Sequence, residues 1–157
     1  MKEYMKQMTE EYFTKLQQGL EFQDKIVMEL WNRGISFASF NSLKFQNKGE
    51  NSAGIEIKFD NRMDDTGNIY IETHERSSDA GKFVFSGVNR DDNSFLWIIG
   101  NYKHVFLFLK GQLKLMNVSN KYPRVETKTS KGFLLPMDVA KKYSVEWIFA
   151  EEEKKDE

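Results

Sequence analysis

Two oppositely charged residues, Glu56 and Lys58, lie in a segment that alternates between apolar and charged side chains. In Ile55-Glu-Ile-Lys-Phe-Asp60 the apolar residues share one face of a predicted strand, and Glu56, Lys58 and Asp60 share the other. Side chains two positions apart on a strand are about 6 to 7 Å apart, so the carboxylate and the ammonium are fixed neighbours. Such a pair suits acid-base or metal chemistry, but an exposed, salt-bridged strand face has the same pattern.

A further carboxylate, Glu72, lies in a second alternating segment, Ile69-Tyr-Ile-Glu-Thr-His74. The polar loop between the two segments predicts a β-hairpin, in which Glu72 faces the same side as Glu56. Two or three carboxylates in a small volume suit Mg²⁺ or Mn²⁺, which leave coordination positions for water and a phosphate. On spacing alone, an exposed salt-bridged strand face is the more common origin of such a pattern. In the metal-site interpretation, the ion supports phosphoryl chemistry and Lys58 positions or stabilises the nucleophile.

The elements that must position these residues are a long helix and a series of short strands. Apolar spacing from Thr9 to Arg33 predicts a helix, with a break expected at Gly19 and an end at Gly34. Pro136 is expected to open a short helix that extends through Lys142. Further strands are predicted at Lys82 to Val88, Ser94 to Ile99, His104 to Lys110 and Gln112 to Val118. The fold class is therefore α/β or α+β.

Composition narrows the classes of protein. The chain has 157 residues and a net charge of -1, so no global positive field attracts nucleic acid. Cysteine is absent, which excludes disulfides, thiolate-metal sites and cysteine nucleophiles. We expect a single domain over residues 1–150 and a charged, solvated tail at 151–157. No signal peptide or membrane span is evident, so we expect a cytoplasmic protein.

Three stretches resemble a known family. Gly49-Glu-Asn-Ser-Ala-Gly-Ile-Glu-Ile-Lys-Phe-Asp60, then Thr66-Gly-Asn-Ile-Tyr-Ile-Glu72, and later Ser86-Gly-Val-Asn-Arg-Asp-Asp-Asn-Ser-Phe-Leu-Trp97 are similar to phage and bacterial members of the PD-(D/E)XK phosphodiesterase superfamily. The resemblance covers about half of the chain. It implies a restriction-endonuclease-like fold, with a central mixed β-sheet flanked by helices and a divalent-metal site on the central hairpin.

The resemblance assigns roles to individual positions. Glu56-Ile-Lys58 matches the (D/E)-x-K element, which makes Glu56 a metal ligand and Lys58 the catalytic lysine. Glu50 is upstream where the motif expects its first acid, although six residues is a short separation. In the alternative, Glu56 is the first acid and Glu72 the second, which leaves His74 in place of the lysine. We prefer the first assignment, with Glu72 as a supporting acid.

The same resemblance extends to the first helix and to the basic residues around the site. A glutamate of that helix often joins the metal shell in the family. The aligned position here is Gln23, a neutral amide that could orient water or phosphate, with Glu21 as the fallback. Lys48, Arg62, His74 and Arg76 are the candidate substrate-binding residues, though scattered basic residues are usually a solvated surface.

The sequence leads to one preferred function and one rival. The preferred function is an Mg²⁺- or Mn²⁺-dependent nuclease that cleaves DNA. The rival is a catalytically inactive binding or assembly protein with the same fold, in which the carboxylates only satisfy their own lysine. The near-neutral charge slightly favours the rival, because a nuclease that follows a duplex usually presents a basic groove. Homodimer and monomer both stay open, and a two-fold dimer would supply the paired sites that a double-strand cut needs.

Overall fold

The structure is a computed structural model that describes residues 2–150, except for the side chains of residues 2–9, 43 and 46. The tail predicted at 151–157 lies outside the described residues. The helices are α1 (Lys2–Asn32), α2 (Leu43–Gln46), α3 (Met63–Thr66), α4 (Lys110–Ser119) and α5 (Met137–Tyr143). The strands are β1 (Ile55–Phe59), β2 (Asn68–Glu75), β3 (Val84–Phe85), β4 (Leu96–Gly100), β5 (His104–Leu109), β6 (Arg124–Glu126), β7 (Ser130–Pro136) and β8 (Val145–Ile148).

The strands form two four-stranded sheets, which confirms a mixed α/β class. The first sheet has the order β1-β4-β5-β8, and the second has the order β3-β2-β7-β6. In the first sheet β1 and β4 run parallel, whereas all other neighbours in both sheets are antiparallel. Both β1 and β8 are edge strands of the first sheet, so the charged face of β1 lies at the margin of that sheet.

The predicted hairpin between the two alternating segments is wrong. These segments become β1 and β2, which belong to different sheets and pair with β4 and β7 instead. The connection between them forms the helical turn α3 and ends at Gly67, whose φ is 70°. The Asp60 carboxylate accepts the backbone N–H groups of Arg62 and Tyr70 at 3.0 and 3.1 Å. In a hairpin, backbone carbonyl groups would have accepted such N–H groups instead. Pairing of β1 with β4 and packing of its apolar face on α1 override the local preference for a hairpin.

Helix α1 is longer and less buried than the apolar spacing predicts. It continues through Gly19 without a break, and it ends as predicted, because Gly34 adopts a left-handed φ of 81°. Its buried side chains, Phe22, Ile26 and Leu30, pack against the first sheet. The other predicted apolar positions Phe13, Leu16, Leu20 and Trp31 are exposed.

One predicted strand is a helix, and other strands were not predicted. The segment from Gln112 to Val118 lies in α4, where Leu113 and Met116 share the inward face at a three-residue step. The alternation of Leu113 with Leu115 imitates a strand, but Leu115 is exposed to solvent. The short helix after Pro136 is confirmed as α5. Strands β6, β7 and β8 had no counterpart in the sequence analysis.

Two hydrophobic clusters hold the layers together. One joins both sheets with α4 and α5, and the other joins α1 to the first sheet. Strand β5 contributes to both, because Val105 packs on the α1 side and Phe106 and Phe108 on the side of the second sheet. Strand β5 is therefore covered on both faces. Among residues 2–150, no helix has the length and apolar composition that a membrane crossing would require.

Ile71→Ala should lower the free energy of unfolding by about 2 to 5 kcal/mol, because Ile71 is fully buried between the sheets. Ile57→Ala should cost less, since Ile57 is half-buried and packs in the α1 cluster. Urea denaturation of both variants measures the two losses. Equal losses would contradict the difference in burial between these two residues.

Candidate active site

Strand β1 presents Glu56 and Lys58 on the face opposite to its apolar residues. Ile55, Ile57 and Phe59 pack in the α1 cluster. The Lys58 Nζ lies 2.8 Å from Glu56 Oε1. Glu56 is only 4% exposed, whereas the Lys58 side chain is 46% exposed. The carboxylate is therefore buried beneath an ammonium that solvent or a substrate can reach.

Glu72 reaches the same place from the second sheet, although it is not on a strand paired with β1. The β2–β7 register shifts between Glu72 and His74, and Ser86 Oγ donates a hydrogen bond to Glu72 Oε1 at 2.8 Å. The 3₁₀ turn that follows Ser86 packs directly on β2. A Cβ at Gly87 would lie 2.1 Å from the Glu72 carbonyl oxygen, and the φ of Gly87 is 51°, so only glycine fits there.

Glu50 joins them through a tight turn ahead of β1. The buried Asn51 side chain accepts the N–H groups of Ala53 and Ile55 and donates to the Ile55 carbonyl at 2.7 Å. Gly54 has a φ of 69°, which allows the chain to reverse before β1 begins. This turn explains how an acid only six residues before Glu56 can lie beside it.

These residues line one cavity of about 130 Å³, which we call the acidic cavity. Its carboxylates outnumber its cations by five to two. The lining consists of Glu50, Glu56, Glu72, Glu75, Asp92, Lys58, Arg90 and Gly87. The predicted acids Glu50, Glu56 and Glu72 and the predicted lysine thus occupy one site.

Burial and the excess of negative charge shift the pKa values of Glu50 and Lys58 in the cavity. Burial raises the pKa of Glu50, and the charge of Glu56 raises it further, against the opposing effects of Lys58 and Arg90. Burial alone would lower the pKa of Lys58, but attraction and hydrogen bonding to Glu56, together with the charges of Glu72 and Glu50, raise it overall. Lys58 is therefore a cation at neutral pH, suited to stabilise an anion rather than to accept a proton.

The carboxylate oxygens that line the acidic cavity are the kind of ligand that Mg²⁺ and Mn²⁺ prefer. Their excess of negative charge would be relieved by a divalent cation. As the side chains stand, no group of three or more His, Asp and Glu residues within the described chain is arranged to hold a metal ion. Binding would require Glu56 or its neighbours to rotate toward a common point.

Several residues outside the three acids were missed by the sequence analysis. Asp92 lies in the cavity, and its Oδ1 accepts Lys110 Nζ at 2.7 Å and Ser94 Oγ at 2.6 Å. The Asp92 and Lys110 side chains are only 3% and 7% exposed. Burial would raise the pKa of Asp92, but these hydrogen bonds lower it overall. In the sequence, the one signal of this buried pair is the lysine that directly follows the apolar strand β5.

Arg90 and Glu75 also line the acidic cavity, and their side chains approach each other to 3.7 Å. The backbone carbonyl of Arg90 accepts Lys110 Nζ at 2.7 Å, which holds its loop beside Asp92. Arg90 is thus the second cation of the cavity. Nothing in the local sequence distinguishes Arg90 from the other basic residues of the chain.

Gln23 is not among the residues that line the acidic cavity. It lies half-buried on α1, which packs on the apolar side of β1 through a stack of Phe22 on Phe59 at 5.0 Å. The fallback residue Glu21 is exposed and accepts a hydrogen bond from Gln17 at 2.9 Å. The structure therefore does not bring Gln23 to the acidic cavity.

The four candidate substrate-binding residues do not form one surface. Arg62 lines a larger cavity of about 530 Å³, which we call the groove and which shares Lys58 and Glu72 with the acidic cavity. Lys48 is exposed and lines neither cavity. His74 hydrogen-bonds Thr73 Oγ1 at 2.9 Å and lines neither cavity.

Arg76 has a structural partner instead of a place at the site. Its Nε donates to the Lys128 carbonyl at 2.7 Å, and its guanidinium lies 4.3 Å from the centre of the Phe83 ring. It lines neither the acidic cavity nor the groove. Of the predicted substrate-binding set, only Arg62 therefore adjoins the candidate site.

The other histidine, His104, belongs to a separate cluster that does not line the acidic cavity. Its Nε2 lies 2.8 Å from Asp64 Oδ1, and its Nδ1 lies 2.8 Å from Glu146 Oε1. Asn101 also donates to Asp64 at 2.7 Å. The hydrogen bond to His104 holds the pKa of Asp64 below its ordinary value of 3.8. This cluster ties α3 to β5 and β8, which is the structural role expected of a histidine at the start of an apolar strand.

Lys110→Met should lower the free energy of unfolding at neutral pH by about 3 to 5 kcal/mol, because it leaves the Asp92 carboxylate buried without its cation. Adding Asp92→Asn should recover part of that loss. Chemical denaturation of the single and double variants measures both effects. A loss below about 1 kcal/mol, the range of surface pairs, would contradict a buried ion pair.

Asp64→Asn should destabilise the protein most near neutral pH. A carboxyl whose pKa is lowered by folding stabilises the fold above its unfolded pKa, and that stabilisation is lost as the pH falls through the folded pKa. The difference between wild type and variant should therefore shrink as the pH is lowered from about 6 to about 3. Urea unfolding across this pH range tests it, and a difference independent of pH would contradict the His104 contact.

Comparison with known proteins leaves the family of this chain open. The chain matches none of the protein-family models, curated proteins or solved structures with which it was compared. Its function is therefore inferred from the residues of the site.

Proposed function

We propose that this protein is a metal-dependent phosphodiesterase that cleaves DNA, and that its domain is a divergent relative of the restriction-endonuclease-like nucleases. The observation that carries the proposal is the acidic cavity, where Glu50, Glu56, Glu72 and Lys58 meet although they come from separate segments. A chance salt-bridged strand face would bring together Glu56 and Lys58 alone. Two further acids from outside β1 support a site built for a cation and an anion.

The fold supports a distant relationship but departs from the expected arrangement. A sheet of mixed pairing with α1 on one face agrees with the family resemblance. The site lies where β1 and β2 of two different sheets approach each other, and not on a central hairpin. The relationship therefore concerns the type of site and the layered α/β architecture.

In this proposal Lys58 and the acids have different tasks. Glu50, Glu56 and Glu72 would hold Mg²⁺ or Mn²⁺. When bound, such an ion lowers the pKa of its water and polarises a phosphoryl oxygen. The Lys58 ammonium, released from Glu56, would face the attacked phosphate and offset its developing negative charge. Arg90 lies beside Lys58 in the same cavity and can contact a second phosphate oxygen.

The rival function is a catalytically inactive binding or assembly protein. The 2.8 Å pairing of Lys58 with Glu56 favours it, because each charge already satisfies the other. The net charge of -1 also favours it, since the field of the whole chain does not attract DNA. The two functions differ in whether the carboxylates respond to a divalent cation.

Glu56→Gln and Lys58→Ala should each reduce Mg²⁺-dependent cleavage of DNA by about 100-fold or more. The first removes a charged ligand with little change in shape, and the second removes the cation beside the phosphate. Cleavage of labelled single-stranded and duplex DNA in Mg²⁺ and in EDTA measures the loss. Glu126→Gln and Lys131→Ala are matched controls from an exposed strand pair at 3.4 Å, and they should leave cleavage unchanged.

The melting temperature in Mg²⁺ separates the roles of the two residues. Ligand binding at 100 times its Kd stabilises a protein by about 2.7 kcal/mol, so wild type should melt at a higher temperature in Mg²⁺. Lys58→Ala should keep this rise, whereas Glu56→Gln should lose most of it. A wild-type protein that neither cleaves DNA nor responds to Mg²⁺ or Mn²⁺ would support the rival function.

A further inference from the structure

The groove lies beside the acidic cavity and differs from it in chemistry. Its volume is about 530 Å³, and its walls include Tyr70, Trp97, Ile99, Val125 and Leu134. Volumes of about 300 to 1,000 Å³ are typical of pockets that bind small organic groups. The groove is therefore large enough for one or two flat rings, and too small for a segment of duplex.

The rim of the groove carries groups that can form hydrogen bonds. Asn61, Asn68 and Thr127 bring amides and a hydroxyl to it, and Arg62 adds a guanidinium. The one carboxylate besides Glu72, that of Asp60, already accepts two backbone N–H groups. Apolar walls with a polar rim fit a heteroaromatic ring whose edge bears donors and acceptors, as a nucleobase does.

The wall of the groove also contains an unsatisfied donor. Trp97 is 2% exposed, and its indole Nε1 is buried without a hydrogen-bond partner within the described part of the chain. Buried donors of this kind are uncommon in folded proteins and usually have a reason beyond packing. Because this nitrogen is buried, the indole ring contributes to the groove as an apolar wall and not as a hydrogen-bond donor.

The position of the groove connects it to the proposed chemistry. Lys58 and Glu72 line both the groove and the acidic cavity. A ring held in the groove would therefore belong to the nucleotide next to the phosphate at Lys58. Stacking also provides affinity that does not depend on charge, which suits a chain with a net charge of -1.

We propose that the groove binds an unpaired nucleobase of the DNA strand that is cut, so that the substrate is single-stranded or locally unpaired DNA. This inference rests on the proposed function, because it uses the acidic cavity as the place of the phosphate. The base stacks against the aromatic and aliphatic walls while its edge faces the amides of the rim. A base still paired in a duplex cannot enter, since its partner strand would occupy the same space.

Val125→Trp tests the proposal by filling the groove. Val125 is half-buried on the edge strand β6, where a larger ring can project into the groove without entering either hydrophobic cluster. The matched control is Glu126→Trp, which adds the same ring to the next residue of β6, outside the groove lining. Melting curves show whether each variant is folded. If Val125→Trp does not fold, Thr127→Trp at the exposed rim replaces it.

The first readout is binding of a labelled oligothymidine in Ca²⁺, measured by fluorescence anisotropy against an abasic oligonucleotide of equal length. Wild type should bind the strand with bases about tenfold more tightly than the abasic strand. Val125→Trp should remove that preference and leave affinity for the abasic strand unchanged, whereas Glu126→Trp should keep it. Equal effects of Val125→Trp on both strands, or no effect, would overturn the proposal.

The second readout is the ratio of cleavage rates for single-stranded and duplex DNA in Mg²⁺. Val125→Trp should lower the single-strand rate by about tenfold, with the duplex rate unchanged. Wild-type cleavage that does not depend on bases or on Val125 would overturn the groove proposal while the proposed function stands. Base-dependent binding without any cleavage would overturn the proposed function and leave only the binding of an unpaired base in the groove.

Discussion

Burial of carboxylates is the constraint on which this part of the fold depends. A carboxylate removed from water is strongly destabilising unless a cation or hydrogen-bond donors replace the lost hydration. Glu56 meets this condition through Lys58, and Asp92 meets it through Lys110 and Ser94. The Glu56–Lys58 pair lies within β1, and the Asp92–Lys110 pair joins the loop before β4 to the start of α4, so the same contacts set the charge balance and the shape of the cavity.

These pairs also explain why distant segments meet. Lys110 begins α4 directly after β5, and it holds both Asp92 and the carbonyl of Arg90. Ser86 holds Glu72 from the 3₁₀ turn, and Gly87 allows that turn to lie against β2. The loop between β3 and β4 is thereby fixed beside the start of β1. The acidic cavity is the space that these contacts enclose.

Strand β1 separates a structural side of the protein from a functional one. Its apolar face joins the α1 cluster, and its charged face lines the acidic cavity and the groove. An edge position makes this possible, because the charged face of a central strand would be covered by neighbouring layers. The polar cavity and the apolar groove meet at Lys58 and Glu72, which places groups for a phosphate next to groups for a flat ring.

Local sequence determined the faces of the strands and the ends of several helices. The alternation in Ile55 to Asp60 was sufficient to place Glu56 and Lys58 together and away from the apolar side, because side-chain direction on a strand has a strict period of two. Gly34 and Pro136 marked a helix end and a helix start for equally local reasons.

Only tertiary structure decided which strands pair. The partner β4 lies 41 residues from β1 in the chain, and the partner β7 lies 55 to 68 residues from β2. Their choice depends on packing against α1 and between the sheets. Hence Glu72 was expected beside Glu56 through a hairpin that does not form, and it arrives there through the approach of two sheets. The lysine after β5 did not identify Asp92 as its partner, because a buried ion pair between separate segments leaves no periodic signal in either of them.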